Sequence, residues 1–188
     1  MNKTKRAIFE AAVREFSERG YNGATMDEIA LKARVAKGTL YYHFKSKEEI
    51  FSFVVVEGIK SMQAAISEIN EMDLGSFEKI RLICKNQLTL SNDNREFFKV
   101  LISQIWGKEN RQSEIRMLLN TYFREIEKVM EQAMSEGVVK KGNPKLMSFL
   151  FFGNLIATAI YEIVNNGVQS IDDTVNEIIE LSLRGILA

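Results

Sequence analysis

The sequence predicts an all-α protein: an N-terminal three-helix domain of helix-turn-helix type, then a larger helical domain, about nine helices in all. Three observations carry this reading. The 188 residues include one proline and eleven glycines, too little of the punctuation that sheets and hairpins require. Apolar residues recur at three-to-four spacing along most of the chain, and no segment reads as a strand. Patterns of Ser or Thr with Glu three residues later stand where such stripes begin, the mark of a helix start. An apolar share of 46 % is enough for a genuine core.

The first helix is expected over residues 5–18, with Ile8, Ala12 and Phe16 inward and Gly20 as its stop. Thr25 and Glu28 form a capping box, in which hydroxyl and carboxylate each satisfy the other's backbone amide. The short helix it opens runs to about Ala33 and turns Met26, Ile29, Ala30 and Ala33 inward. The apolar pattern resumes a few residues later at Leu40, Tyr41 and Phe44. Two short helices across so tight a turn make a helix-turn-helix.

Ser46 and Glu49 form a second capping box, opening a helix over residues 47–69 with the stripe Ile50, Phe51, Val54, Val55, Ile59, Met62, Ile66 and Ile69. At 1.5 Å per residue such a helix spans roughly 33 Å, enough to leave a small unit and enter another. The domain boundary is therefore set at 46/47, giving domains 1–46 and 47–188. Breaks at 75–76, 91–94, 107–110, 137–143 and 165–167 divide the remainder into five more helices. Asn143 and Pro144 read as an N-cap followed by an N1 proline.

Formal net charge is zero, but its distribution is uneven. Residues 1–50 hold ten Lys or Arg against seven Asp or Glu, and the other 138 hold fifteen against eighteen. Between Glu28 and Glu48 lie Lys32, Arg34, Lys37, Lys45 and Lys47 with no acid. That run fits either a solvated basic face or a phosphate-binding surface. Cys84 is the one cysteine, so no internal disulfide is possible. Glu10 and Arg14 interrupt the N-terminus before a signal-peptide core could form, which suggests a reducing, cytoplasmic setting. The longest uncharged run, residues 146–161, is 16 residues, short of the roughly 20 of a membrane span. A buried helix is expected there, and no membrane partner.

The stretch VAKGTLYYHFKSKEEI, residues 35–50, concentrates two tyrosines, the single histidine and three lysines. On a helix, Leu40, Tyr41 and Phe44 gather on one side and Gly38, Thr39, Tyr42 and His43 on the other, with Lys37 at the start. The outward set suits a major groove. Gly38 permits close approach, Thr39 offers a hydroxyl and a methyl to base edges, and Lys37 can reach guanine or phosphate. Tyr and His donors suit phosphate oxygens, and Lys47 adds a charge beside the free amides of the next helix. Tyr41 reads as half core, and His43 taken alone also fits an ordinary surface histidine.

Residues 7–51 closely resemble the N-terminal DNA-binding domain of the TetR family of bacterial transcriptional regulators. The cap at Thr25, the pair Ile29-Ala30, the KGTLYYHF core and Lys47 all fall in that family's register. The resemblance implies that Lys37, Gly38 and Thr39 face the groove and that Thr25, Tyr41, Tyr42, His43 and Lys47 contact phosphate. Two positions depart from the common pattern. Arg34 stands where glycine is frequent, and a left-handed conformation there would cost roughly 1 kcal/mol relative to glycine. Ala36 stands where serine usually caps the recognition helix, a loss of about 1 kcal/mol.

Beyond residue 51 the resemblance covers layout only. The helix from Pro144 to about Asn165 is apolar nearly all round, so burial on more than one side is expected. Gly153 and Ala157, one turn apart, permit another helix to come close. The last helix carries Ile171, Val175, Ile178, Ile179, Ser182 and Ile186 at helical spacing. This stripe fits a subunit interface or purely internal packing, and the family's dimers form a four-helix bundle from these two helices of each chain. The candidate interface residues are therefore Gly153, Ala157, Val175, Ile178, Ile179, Ser182 and Ile186.

The resemblance also implies a small-molecule cavity in this domain. Met62, Trp106, Tyr122, Phe123, Asn154 and Thr158 supply the apolar and few polar groups such pockets use, although each type is also ordinary core. Little charge in this region favours an apolar or neutral effector. The reading is a homodimeric DNA-binding regulator, most simply a repressor released from a palindromic double-stranded operator by such an effector. An architectural DNA-binding protein without effector is the alternative. No catalytic residue, metal ligand or cofactor is expected, because there is no Gly-rich phosphate loop, no second histidine and no metal-ligand cluster.

Overall fold

The computed structural model describes residues 1–103, 110–165 and 170–184, all helix and connecting turns. The helices are α1 Lys3–Gly23, α2 Met26–Lys32, α3 Lys37–His43, α4 Lys47–Glu71, α5 Ser76–Asp93, α6 Arg95–Ser103, α7 Asn110–Ser135, α8 Pro144–Asn165 and α9 Ile171–Ile179. α9 continues into a π-helical turn, Glu180–Arg184. Contacts divide the chain into two units, residues 1–60 with 94–118 and residues 61–93 with 119–188. α4 contributes to both.

In the first unit, Asn2 caps α1 by accepting from the Lys5 amide at 2.8 Å. Gly20, with φ 67° and ψ 172°, interrupts α1, and one more turn carries the helix to Gly23. Thr25 Oγ1 accepts from the Glu28 amide at 3.2 Å to start α2. Ser46 Oγ accepts from the Glu49 amide at 3.2 Å to start α4. The Glu49 carboxylate reaches one residue further back than in a simple capping box and accepts from the Lys45 amide at 2.6 Å.

Ile8, Ala12 and Phe16 of α1 are buried, as are Ile29 and Ala30 of α2 and Leu40 and Phe44 around α3. Phe51 of α4 lies edge-on to Phe16 and Tyr21, with ring centroids 5.1 and 5.0 Å apart. Phe9 stacks on Phe97 of α6 at 6.5 Å. α6 approaches α4 at Gly58, where a Cβ would stand 2.0 Å from Cζ of Phe97. Any side chain at Gly58 requires the Phe97 ring or α6 to shift.

The second unit is held at one end by polar anchors. Glu136, at the end of α7, accepts from the amide and hydroxyl of Ser76 at 2.8 and 2.7 Å, capping α5 from outside. These bonds, the hydroxyl's first, hold the Glu136 carboxyl below its ordinary range. Lys79 is nearly buried and donates to the Asn70 carbonyl and to Gln132. Gly137, at φ 75°, ends α7, and the Val138 amide donates back to the Ala133 carbonyl at 2.9 Å. Asn143 caps α8 by accepting from the Leu146 amide at 3.1 Å, with Pro144 as first helical residue.

Among the described residues two helices, α4 and the Pro144–Glu162 part of α8, are long and apolar enough to cross a membrane. This corrects the count of uncharged residues, which by itself excluded α8. α4, however, runs through the core of the described chain, with its whole apolar stripe from Ile50 to Ile69 buried.

Candidate nucleic-acid interface

The turn between α2 and α3 is fixed by its own backbone. The Arg34 amide donates to the Leu31 carbonyl and that of Val35 to the Ala30 carbonyl, both at 3.1 Å, with Arg34 at φ 55°. The left-handed conformation that the sequence made conditional is therefore adopted. α3 starts at Ala36 with no side-chain cap.

Leu40 and Phe44 anchor α3, at 0 and 3 % exposure. Tyr41, which reads from the sequence as half core, is 45 % exposed. On a helix of two turns the buried arc is narrow, and Tyr41 lies at its edge. Its phenol is thereby available with that of Tyr42, which is 78 % exposed. His43 is half-buried, its ring edge-on to Tyr42 at 5.3 Å. Gly38 faces open space, and Thr39 is half-buried. Lys37 is exposed and paired with Asp27 of α2, Nζ to Oδ2 2.6 Å.

Lys47 is placed differently from the expected anion site. Its ammonium donates to the carbonyls of Ala24 at 2.9 Å and Asn22 at 3.3 Å. It also lies over the Tyr21 ring, 4.7 Å from the centroid. It closes the end of α1 with two of its three donors, leaving one for a phosphate.

A further charged group went unread in the sequence. Glu15 of α1 is fully buried, with the Lys32 ammonium 2.7 Å from Oε2 and Arg19 Nε 3.2 Å from Oε1. Lys32 also pairs with Glu18. The bond to Glu15, then that to Glu18, raises the Lys32 ammonium above its ordinary range. This ties the end of α2 to α1 and occupies one base of the N-terminal run. The signal was available: Glu15 continues the inward spacing of Ile8, Ala11 and Ala12.

The residues expected around an effector fall into two groups, Tyr122 and Phe123 edge-on in the core with centroids 5.6 Å apart and Asn154 and Thr158 bonded one turn apart on α8. Met62, Tyr122 and Phe123 are buried core. The Tyr122 hydroxyl donates to Gln87 Oε1 at 3.2 Å, and its burial pushes that hydroxyl well above the usual phenol range. Phe123 stacks on Phe149 with centroids 3.8 Å apart. Asn154, which was expected inside an apolar helix, is instead exposed and donates to Ser182 at 2.9 Å. Thr158 is half-buried and donates to the Asn154 carbonyl. They line separate open grooves. Asn154 borders one of about 550 Å³ with Met130, Val139, Met147 and Phe151. Thr158 borders one of about 440 Å³ with Tyr161, Glu162, Glu177 and Leu181. Trp106 lies outside the described residues.

The residues expected at a subunit interface differ in their exposure. Val175, Ile178 and Ile179 are buried within their own chain. α9 is pinned to α5 by Arg81 to Asn176 at 2.6 Å and Lys85 to Asp172 at 2.7 Å, so its apolar stripe faces inward. Gly153, Ala157 and Ser182 are exposed, and Ile186 lies outside the described residues. The helix that reads as apolar nearly all round leaves one apolar side uncovered by its own chain: Leu146, Phe149, Leu150, Ile160, Tyr161 and Val164 are 42 to 69 % exposed.

Cys84 is buried, which pushes its thiol up to about 12, unsuited to a nucleophile. Among the described residues no cluster of three potential metal ligands occurs.

The sequence profile described as "Bacterial regulatory proteins, tetR family" matches residues 8–53. A solved structure of a candidate fatty acid metabolism regulator from Clostridium perfringens is 42 % identical. It covers 97 % of this chain and 99 % of its own, with a TM-score of 0.91. The fatty acid metabolism regulator protein of Bacillus subtilis is 25 % identical over 95 % of this chain and 93 % of its own. The structure of the transcriptional regulator FadR from Bacillus subtilis with stearoyl-CoA shares the fold. Its TM-score is 0.85 at 24 % identity, over 97 % of this chain and 99 % of its own.

Proposed function

The chain belongs to the TetR family of bacterial regulatory proteins, and from that premise we propose that it acts as a cytoplasmic homodimeric repressor. It releases a palindromic operator when a fatty acyl effector occupies the C-terminal domain. It is a DNA-binding transcriptional regulator of helix-turn-helix type and not an enzyme. The functional division is that of residues 1–46 for DNA and 47–188 for effector and partner. The observation that carries this reading is the outward face of α3. There Lys37, Gly38, Tyr41 and Tyr42 stand clear of the core, with Lys45 and Lys47 following and no acid before Glu48.

On that face Lys37, Gly38 and Thr39 approach base edges, and Thr25, Tyr41, Tyr42, His43 and Lys47 hold the phosphates on either side. Dimerisation rests on the α8 surface. An apolar patch of six large side chains on one helix is more than a monomer ordinarily leaves in water, and a second copy would cover it through Gly153, Ala157 and the residues flanking them. The effector class is supported by likeness to the Clostridium perfringens candidate fatty acid metabolism regulator. An acyl chain also suits the apolar character expected of the effector.

Fluorescence anisotropy with the DNA upstream of the protein's own gene tests the reading. Binding there, weakened by stearoyl-CoA and not by free coenzyme A, is the expected result. Binding indifferent to any acyl thioester would instead favour an effector-free DNA-binding protein.

A further inference from the structure

Asp27 has no part in the DNA contacts assigned so far. It stands in the first turn of α2, and its Oδ2 lies 2.6 Å from Nζ of Lys37, the first residue of α3. The two side chains are 56 and 67 % exposed, so their pairing contributes little to folding. The hydrogen bond to Asp27 is the first cause of the raised Lys37 ammonium. An exposed ion pair that joins the first turns of both helices is better placed to act on DNA than on stability.

We propose that Asp27 is a specificity-determining residue of the DNA-binding face, whose carboxylate aims the Lys37 ammonium at a single G·C base pair and penalises its use on phosphate. The inference rests on the DNA-binding reading and deepens it. A lysine alone is a compact charge on a flexible stem, and it takes any phosphate or guanine within reach. Held by Asp27, it has spent one of three N–H donors, and the other two are directed away from the carboxylate. Two divergent donors match O6 and N7 of guanine in the major groove. The second oxygen of Asp27 can accept from N4 of the paired cytosine.

The carboxylate also acts against wrong sequences. DNA presents a dense line of negative charge, and binding without regard to sequence is almost wholly electrostatic. A fixed anion on the contact face weakens every such encounter. At the cognate pair the cytosine amino group and the oriented ammonium offset that repulsion. Elsewhere nothing does, so discrimination comes partly from a repulsive element.

Selection of binding sites from a randomised duplex by full-length wild type, Asp27→Ala and Lys37→Ala tests this. Wild type should enrich a G·C pair at one fixed position in each half-site. Both variants should lose enrichment at that same position by at least about fivefold, the lower end for a good bidentate contact. Asp27→Ala should also bind random-sequence duplex more tightly than wild type while binding the wild-type operator no more tightly. An Asp27→Ala motif identical to that of wild type would overturn the inference, as would loss at a position other than the one Lys37→Ala affects. So would equal gains in affinity for operator and random duplex. These three outcomes leave DNA binding intact, whereas a wild type that enriches no sequence would overturn the DNA-binding reading along with the inference.

Discussion

α4 and α8 are both long and mainly apolar, yet α4 completes its burial within one chain. All eight residues of its stripe from Ile50 to Ile69 are buried, whereas α8 buries Phe151, Phe152, Leu155 and Ala159 and exposes six other large apolar side chains. The reason lies in what separates the apolar residues. α4 intersperses Glu48, Glu49, Glu57, Lys60 and Glu68, which leaves one stripe for one core. α8 carries no charge between Lys145 and Glu162 and so presents two apolar faces, of which its own chain covers one. The other is the face proposed above to meet a second copy.

The sharpest way to break this comparison is to place the same charge on both helices. Val54→Glu would bury an unpaired carboxylate in α4, costing roughly 3–5 kcal/mol or more, a large part of the stability of an ordinary domain. Its circular dichroism should show a mostly unfolded chain or a far lower melting point. Leu150→Glu puts the charge on a residue already 60 % exposed. That variant should keep wild-type helicity, sediment as a monomer where wild type is a dimer, and lose most operator affinity. If it unfolded like Val54→Glu, the second face of α8 would be internal core after all.

Gly58→Ala is a smaller test of how tightly α4 is packed. The added methyl would stand 2.0 Å from the Phe97 ring, so α6 or the ring must shift, and overpacking of this kind costs about 1–3 kcal/mol. The urea midpoint should fall with an unchanged slope. A neutral result would show that Phe97 swings aside freely and that Gly58 is not required for close approach.

The local signals of the fold were legible in the sequence because they act over three or four residues. Thr25, Ser46 and Asn143 cap where their spacing predicts, Gly20 and Gly137 break helices at positive φ, and the short α2–α3 turn follows. What periodicity cannot give is the identity of the cover. It places Val175, Ile178 and Ile179 on one face of α9 correctly, but that face meets α5, and nothing in the spacing distinguishes α5 from a second subunit. The same limit applies to α8: Asn154 and Thr158 share a helix with Phe151 and Phe152 but not their buried side of it. Pairings between charges far apart in sequence, Lys37 with Asp27 and Lys32 with Glu15, depend on how the helices cross. Only the inward position of Glu15 left a trace that a reader could have used.

The smallest effect expected falls at Arg34, in the unit whose local signals were clearest. At φ 55° it holds a conformation in which an L side chain crowds the following carbonyl, a strain of roughly 1–2 kcal/mol that glycine does not bear. Arg34→Gly relieves it but loosens the unfolded chain, which returns about 0.4–1 kcal/mol. The net should be a gain of roughly 0.5–1 kcal/mol, because the strain exceeds the entropy term and the amide bond to the Leu31 carbonyl is backbone and survives. The urea midpoint should therefore rise. DNA binding should move the other way, since each protomer loses an exposed positive charge beside α3. Where Arg34 meets a phosphate, the slope of log affinity against log salt should fall by about one unit per protomer. Opposite movements of stability and affinity would identify Arg34 as a strained residue retained for DNA. A fall in stability would show that its left-handed backbone is held without strain, by contacts of the arginine side chain itself.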